Sequence, residues 1–254
     1  MNIKNVYILD DRAILYLNGD DAQKFLQNLI SNDINKVSDK NTCFTSLLSP
    51  QGKFLYEFII IKHKSGYLID CEKSQADGLY KQLSTYKLRS KVEILNLSNE
   101  FVVAAFSYEK FLNFDEAQDI AGFTLKYRED PILLDPRNKL LGARLVINLE
   151  KLYLSLKKLD LHDSKLEEYY LFSHKLGIVP KDLNKLQNKK IILFLSRIHP
   201  KKGIDLFNFS FISVVFLIPL IKTRIVQSTF PDRYPILYEN KFHVAKVSTA
   251  IHSQ

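Results

Sequence analysis

The stretch Cys43–Cys71, CFTSLLSPQGKFLYEFIIIKHKSGYLIDC, limits the fold more than any other part of the chain. Three apolar and aromatic runs are divided by two short polar breaks, Ser49-Pro50-Gln51-Gly52 and Lys64-Ser65-Gly66. The first break is turn chemistry, with proline suited to the second position and glycine to the last. Strands joined by so few residues must run antiparallel, because a parallel return needs a crossover of about a dozen residues or more. The stretch therefore predicts three antiparallel strands in a row. Around it, Ala13–Gly19 reads as a strand ending in a turn. Ala22, Phe25, Leu26, Leu29 and Ile30 then recur at the spacing of one buried helical face. Asp20 or Asp21 is placed to cap that helix, which should end near Ser31-Asn32-Asp33. A second helix with Leu79, Leu83 and Tyr86 on one side follows, then strands at Val92–Leu95 and Phe101–Ser107. The segments ILLDPR and GARLVI read as a strand pair. A last helix begins with Ser164 and Glu167 at capping-box spacing and stops at Gly177. Antiparallel strands with helices packed on one side make this an α+β chain rather than an alternating parallel one.

With 254 residues, a quarter of them charged, the composition is globular. The polar start MNIKNVYILDD predicts no signal peptide. The longest nearly apolar run, Phe209–Ile221, has 13 residues and contains Pro219, short of the ~20 of a spanning helix. A cytoplasmic protein with no membrane span is expected. Cys43 and Cys71 lack a partner at metal-ligand spacing and read as strand thiols. Six histidines form no H-x-x-x-H pattern, so no metal site is expected, and no glycine-rich phosphate loop occurs. The formal charge is +8, but residues 190–254 hold nine Lys/Arg against three Asp/Glu, so the basic excess sits in the last quarter. That argues against a specific nucleic-acid surface over the body. The same quarter holds four of the eight prolines, seven of the 17 phenylalanines and one glycine. We read residues 1–189 as the body and residues 190–254 as a divergent or frameshifted segment whose β module is in doubt.

One segment, DPRNKLLGARL (Asp135–Leu145), brings two arginines close together. If Lys139–Gly142 were a hairpin loop centred between Leu140 and Leu141, Arg137 would lie directly opposite Arg144. Like charges so paired are destabilising. A carboxylate held between two guanidinium forks would remove that cost. Local neutralisation of Arg137 by Asp135, with an exposed Arg144 simply solvated, is the alternative.

Four stretches in order, LNGDDAQKFLQNLISNDI, LLSPQGKFLYEFII, DPRNKLLGARL and YYLFSHKLGI, give the chain a resemblance to the YgfZ family of folate-binding proteins. These belong to the aminomethyltransferase (glycine cleavage T-protein) superfamily. The resemblance covers roughly residues 5–180. It implies a T-protein-like fold of two interlocked lobes and a tetrahydrofolate or related folate in a central channel. It also implies a role in assembling or repairing iron–sulfur client proteins. By position it assigns folate binding to Asn32, Asp33, Arg137 and Arg144, with Gln51, Gly52 and Lys53 in the hairpin turn; a helix-end role is the simpler one for Asp33. It marks no catalytic residue and implies an accessory protein, aminomethyltransferase-like if enzymatic. The family's Lys-Gly-Cys-Tyr-x-Gly-Gln-Glu signature is missing: Lys201–Val215 reaches GID and loses the motif, and no cysteine follows Cys71. The alternatives are an aminomethyltransferase that moves a one-carbon unit to tetrahydrofolate, and a decayed binding-only module.

Overall fold

The computed structural model describes residues 1–178 and, beyond them, the backbone of five short strands. The chain divides into two compact units, Met1–Pro180 and Lys181–Gln254.

The first unit begins with β1 (Asn5–Ile8) and β2 (Arg12–Asn18), then α1 (Ala22–Gln27), β3 (Cys43–Leu48), β4 (Phe54–His63) and β5 (Gly66–Glu72). Next come α2 (Lys73–Lys87), β6 (Glu93–Asn96), β7 (Phe101–Phe106), α3 (Tyr108–Leu112), β8 (Thr124–Tyr127) and β9 (Asp130–Leu134). β10 (Ala143–Asn148), α4 (Leu149–Lys158), β11 (His162–Asp163) and α5 (Leu166–Lys175) complete it. The predicted α+β class holds, and the three strands of the opening argument are antiparallel neighbours within a five-stranded sheet ordered β3-β4-β5-β2-β6. Their first turn closes as expected, with the Gly52 N–H donating to the Ser49 carbonyl at 2.8 Å and Gly52 at φ +74°.

The second sheet has six strands ordered β11-β1-β7-β10-β9-β8. Each sheet has two apolar faces; each outer face has its own core, and the two inner faces share a third. On the outer side of the first sheet, Leu15, Leu17 and Ile69 pack with Phe25 and Leu26 of α1 and Leu79 and Leu83 of α2. On the outer side of the second, Val6, Leu145 and Ile147 pack with Phe111 of α3 and with Leu152 and Leu156 of α4. Between the sheets lie Ile14, Ile59, Leu68, Leu133, Val146 and Tyr169. This layering follows from strand alternation: residues two apart share a face, so the Leu68 and Val146 faces also carry Asp70 and Arg144 into the space between the sheets.

Three local expectations change. α1 stops at Gln27, four residues before Ser31, and neither predicted aspartate caps its start by a side-chain hydrogen bond; Asp21 instead accepts from the Lys91 N–H at 2.7 Å. Ser164 and Glu167 form no capping box, because α5 starts one residue later than that box requires, with Lys165 at its N-cap. The Ser164 N–H is drawn to the Val6 carbonyl at 2.9 Å. The β9–β10 register is centred two residues earlier than predicted, with Leu134 opposite Ala143 and Leu133 opposite Arg144. A short 3₁₀ turn, Lys139–Leu141, takes up the difference.

In the second unit, β12 (Ile191–Leu195), β13 (Ile212–Phe216) and β14 (Arg224–Gln227) form an antiparallel three-stranded sheet. β15 (Leu237–Tyr238) pairs with β16 (Ala245–Lys246). β12 and β13 are joined by residues 196–211, which is why no tight-turn signature announced the pair. The lost signature at Lys201–Val215 falls, up to the start of β13, outside the described residues.

Candidate functional site

The chain leaving α1 turns sharply through Ser31, Asn32 and Asp33. Asn32 is fixed from three sides. Its Nδ2 donates to the Phe44 carbonyl at 3.0 Å, its N–H donates to Thr45 Oγ1 at 3.2 Å, and its Oδ1 accepts from the Asp33 N–H at 2.8 Å. Asp33 caps a 3₁₀ turn, Ile34–Lys36. Its Oδ1 accepts from both the N–H and the Nδ2 of Asn35, each at 2.9 Å. Asp33 thus has the helix-end role.

Beside this turn lies an open cleft of about 640 Å³, lined by Asn32, Asn35, Lys36, Phe44, Ala121 and Pro136 among others. One wall comes from the first sheet, the other from the loops of the second. Backbone bonds hold the walls together: Thr42 N–H to the Gly122 carbonyl at 2.8 Å, and Thr124 N–H to the Lys40 carbonyl at 2.9 Å. A volume in the range of ~300–1,000 Å³ suits a small organic ligand. Cys43 also lines the cleft, but burial pushes its thiol up to about 11, against the opposing pull of Lys36, so it stays protonated at neutral pH.

The two predicted arginines come together elsewhere. Pro136 faces the cleft, and the next residue turns back. Arg137 Nε and Nη2 donate to the two oxygens of Asp135 at 3.0 and 2.8 Å. Arg144 Nε donates to Asp135 Oδ2 at 2.8 Å, its Nη1 to Asp70 Oδ2 at 2.7 Å, and its Nη2 to the Tyr169 hydroxyl at 3.3 Å. Asp70 Oδ1 accepts from Arg12 Nε at 2.6 Å. The result is a buried row of alternating sign, Arg12–Asp70–Arg144–Asp135–Arg137, running from the first sheet to the second. The Arg144 side chain is 3% exposed and that of Arg137 16%.

Burial alone would raise the Asp135 pKa, yet Arg137 and Arg144 outweigh it and hold the carboxyl well below the usual range. Burial also works against the charge on Arg144, but Tyr169, Asp135 and Asp70 raise its pKa well above the ordinary arginine value. The cost of placing two guanidinium groups side by side is therefore met by carboxylates of the chain itself. The space beside the row, lined by Arg12, Arg137, Arg144, Tyr169 and Tyr170 among others, amounts to about 20 Å³, the room of roughly one water. Among the described residues, the partners of the Arg137 and Arg144 guanidinium groups are the chain's own carboxylates and the Tyr169 hydroxyl.

Of the four predicted site residues, Asn32 lines the ligand-sized cleft, Asp33 caps the turn behind it, and Arg137 and Arg144 belong to the buried row. Sequence reasoning missed Arg12 and Asp70 in the row, and Lys36, Phe44 and Pro136 in the cleft. Asp70 had a signal: a lone carboxylate within YLIDC, inside a strand buried at every position, because unpaired charges are almost never fully buried. Among the described residues, no helix is long and apolar enough to cross a membrane.

No family model matches the chain. It is 25% identical over 229 residues to the mitochondrial iron–sulfur cluster assembly factor IBA57 homolog of Dictyostelium discoideum, covering 80% of this chain and 55% of that protein. The corresponding Neurospora crassa protein is 29% identical over 213 residues, 78% of this chain and 46% of its own length. The chain thus spans about half the length of the curated relatives it matches. Among solved structures, the glycine cleavage system aminomethyltransferase T of Bartonella henselae superposes with a TM-score of 0.57 at 11% identity, over 68% of this chain and 51% of that one. The fold is that of the glycine cleavage T-protein, as the resemblance implied, and the sequence relatives include iron–sulfur cluster assembly factors and aminomethyltransferases.

Proposed function

We propose that this chain acts in iron–sulfur cluster assembly and holds a tetrahydrofolate-type molecule in the Asn32–Pro136 cleft. The alignment with two assembly factors over about four fifths of the chain carries the first half of this reading. The cleft supports the second. Its residues fit the group chemically: Asn32 keeps one free Nδ2 hydrogen after its bond to Phe44, Asn35 and Asn41 add amides to the wall, and the half-buried Phe44 ring offers a stacking surface for a pterin. Lys36, exposed on the same wall, can meet the acidic tail. Bound there, a reduced folate supplies a one-carbon carrier. The chain's own residues bind it, orient it through amide hydrogen bonds and shield one edge with Pro136 and Ala121. The neutral Cys43 thiol adds apolar lining.

Two measurements test the two halves separately. Cells lacking their own assembly factor, supplied with this chain, should regain the activity of an iron–sulfur enzyme such as aconitase; no recovery by a well-expressed chain removes the assembly role. Titration calorimetry with 5-formyltetrahydrofolate should give saturable binding that Asn32→Ala weakens. Binding weakened only by variants of the buried arginines would place the ligand outside the cleft.

A further inference from the structure

On the outer face of the first lobe, the ends of α1 and α2 frame an open groove of about 830 Å³, away from the Asn32–Pro136 cleft. Leu29 and Tyr86 form its apolar floor, both half-buried and packed on the core beneath. Lys24 stands on one bank and Arg89 on the other, and neither has an ion-pair partner among the described residues. At the rim, Leu88 is 87% exposed. It ends α2 with φ +41°, a conformation that L side chains rarely adopt and that costs free energy unless its surroundings enforce it. The turn that carries it is pinned. The Lys91 N–H donates to Asp21 Oδ2 at 2.7 Å, and a Cβ at Gly19 would come within 2.1 Å of the Lys91 carbonyl oxygen. A leucine held outward on a fixed turn, between two unpaired cations and above an apolar floor, is a built surface.

We propose that this groove docks an acidic segment of a partner protein, with an apolar side chain of that segment packing on Leu88 and Tyr86. Charge selects the occupant. Lys87 and Arg89 lie across from Lys24, while the Lys91 ammonium pairs with Asp20 at 3.8 Å; Asp21 is the one acid lining the groove, and one of its oxygens is turned to the Lys91 N–H, so the cations outnumber it. Opposite charge across a rim steers association and fixes orientation. The chain's own last quarter, with nine basic and three acidic residues, has the wrong sign for this surface. A second copy would set one cationic groove against another. A projecting leucine also suits the broad face of a protein better than an enclosed small molecule.

The test uses the full chain and a labelled twelve-residue peptide with leucine at every third position and glutamate elsewhere. Fluorescence anisotropy at low salt should show saturable binding that a lysine-for-glutamate counterpart lacks. The double variant K24E/R89E should weaken it by about tenfold or more, and Leu88→Ser several-fold, with unchanged circular dichroism. Asn32→Ala should leave it unaltered, which separates this groove from the folate cleft. Equal binding of both peptides, no binding of the acidic one, or indifference to K24E/R89E overturns the proposal. So does a Leu88-dependent dimer in sedimentation velocity, or K24E/R89E-sensitive binding to phosphatidylserine vesicles in place of the peptide.

Discussion

The buried row between the sheets and the open cleft at Pro136 meet at the β9–β10 loop, which gives Asp135 and Arg137 to the one and Pro136 to the other, and they treat polar groups in opposite ways. In the row, three guanidinium groups and two carboxylates satisfy one another in a space with room for about one water. In the cleft, amides and one lysine line about 640 Å³ with little charge pairing. The side chains that look most like ligand grips in the sequence are the ones consumed by the structure. The modest amides of a helix-to-strand turn face the space a ligand could fill. Charge density by itself does not mark a binding site; unspent hydrogen-bonding capacity beside adequate volume does.

The comparison breaks most readily at its centre. Arg144→Ala would leave Asp70 and Asp135 buried without their shared partner. Removing one member of a buried ion pair costs about 3–5 kcal/mol, so urea melts should show a loss of that order; a loss below about 1 kcal/mol would mean the row is not what joins the sheets. Acid should act next. Asp135 has a folded-state pKa well below that of an unfolded aspartate, about 3.9. Its contribution is therefore fully present above about pH 5 and is lost as pH falls toward the folded value. Thermal melts should decline progressively below about pH 5, and Arg137→Gln, by raising the folded pKa, should leave that onset in place but end the decline at a higher pH and reduce its total by about 1.4 kcal/mol for each unit of the rise.

Smaller effects sharpen the other side of the comparison. Asn32→Ala removes hydrogen bonds to Phe44 and Asp33, so a stability loss of about 1–2 kcal/mol is expected. Its affinity for 5-formyltetrahydrofolate should fall by a further, separable factor in calorimetry. Lys36→Ala touches an exposed side chain and should change stability by less than about 0.5 kcal/mol. Folate binding should nevertheless weaken a few-fold at low salt, with the difference vanishing at high salt. If Lys36→Ala leaves binding untouched at every salt concentration, the cleft does not read the acidic tail.

What could be read from the chain divides along the range of the interactions. The Ser49–Gly52 turn, the meander around it and the apolar face of α2 follow from neighbours in sequence, and all were legible. The closeness of Arg137 and Arg144 was legible too, and so was the alternative that Asp135 neutralises Arg137. Their second neutraliser was not, because Asp70 stands 74 residues before Arg144 and nothing local couples them. The hairpin register failed for a local reason: Asn138 caps a 3₁₀ turn through the Leu140 N–H, so the loop is longer than a simple hairpin. α4 was missed because Leu149, Tyr153 and Leu154 are exposed and blur the period of its buried face. In the cleft, Asn32 could be singled out by family likeness alone; Lys36, Phe44 and Pro136 come from separate elements that only the fold assembles.

The strict alternation of sign along the row has a consequence for how such a chain can change over time. Neutralising an inner link singly sets two like charges against each other in a dry interior, whereas replacing linked residues together by apolar groups of matching bulk can be nearly neutral. Drift at these five positions should therefore proceed by coupled exchanges, with Arg144 and its two carboxylates either kept together or surrendered together. The exposed amides Asn35 and Asn41 beside the cleft carry no such coupling, because exchanging either one strands no buried charge.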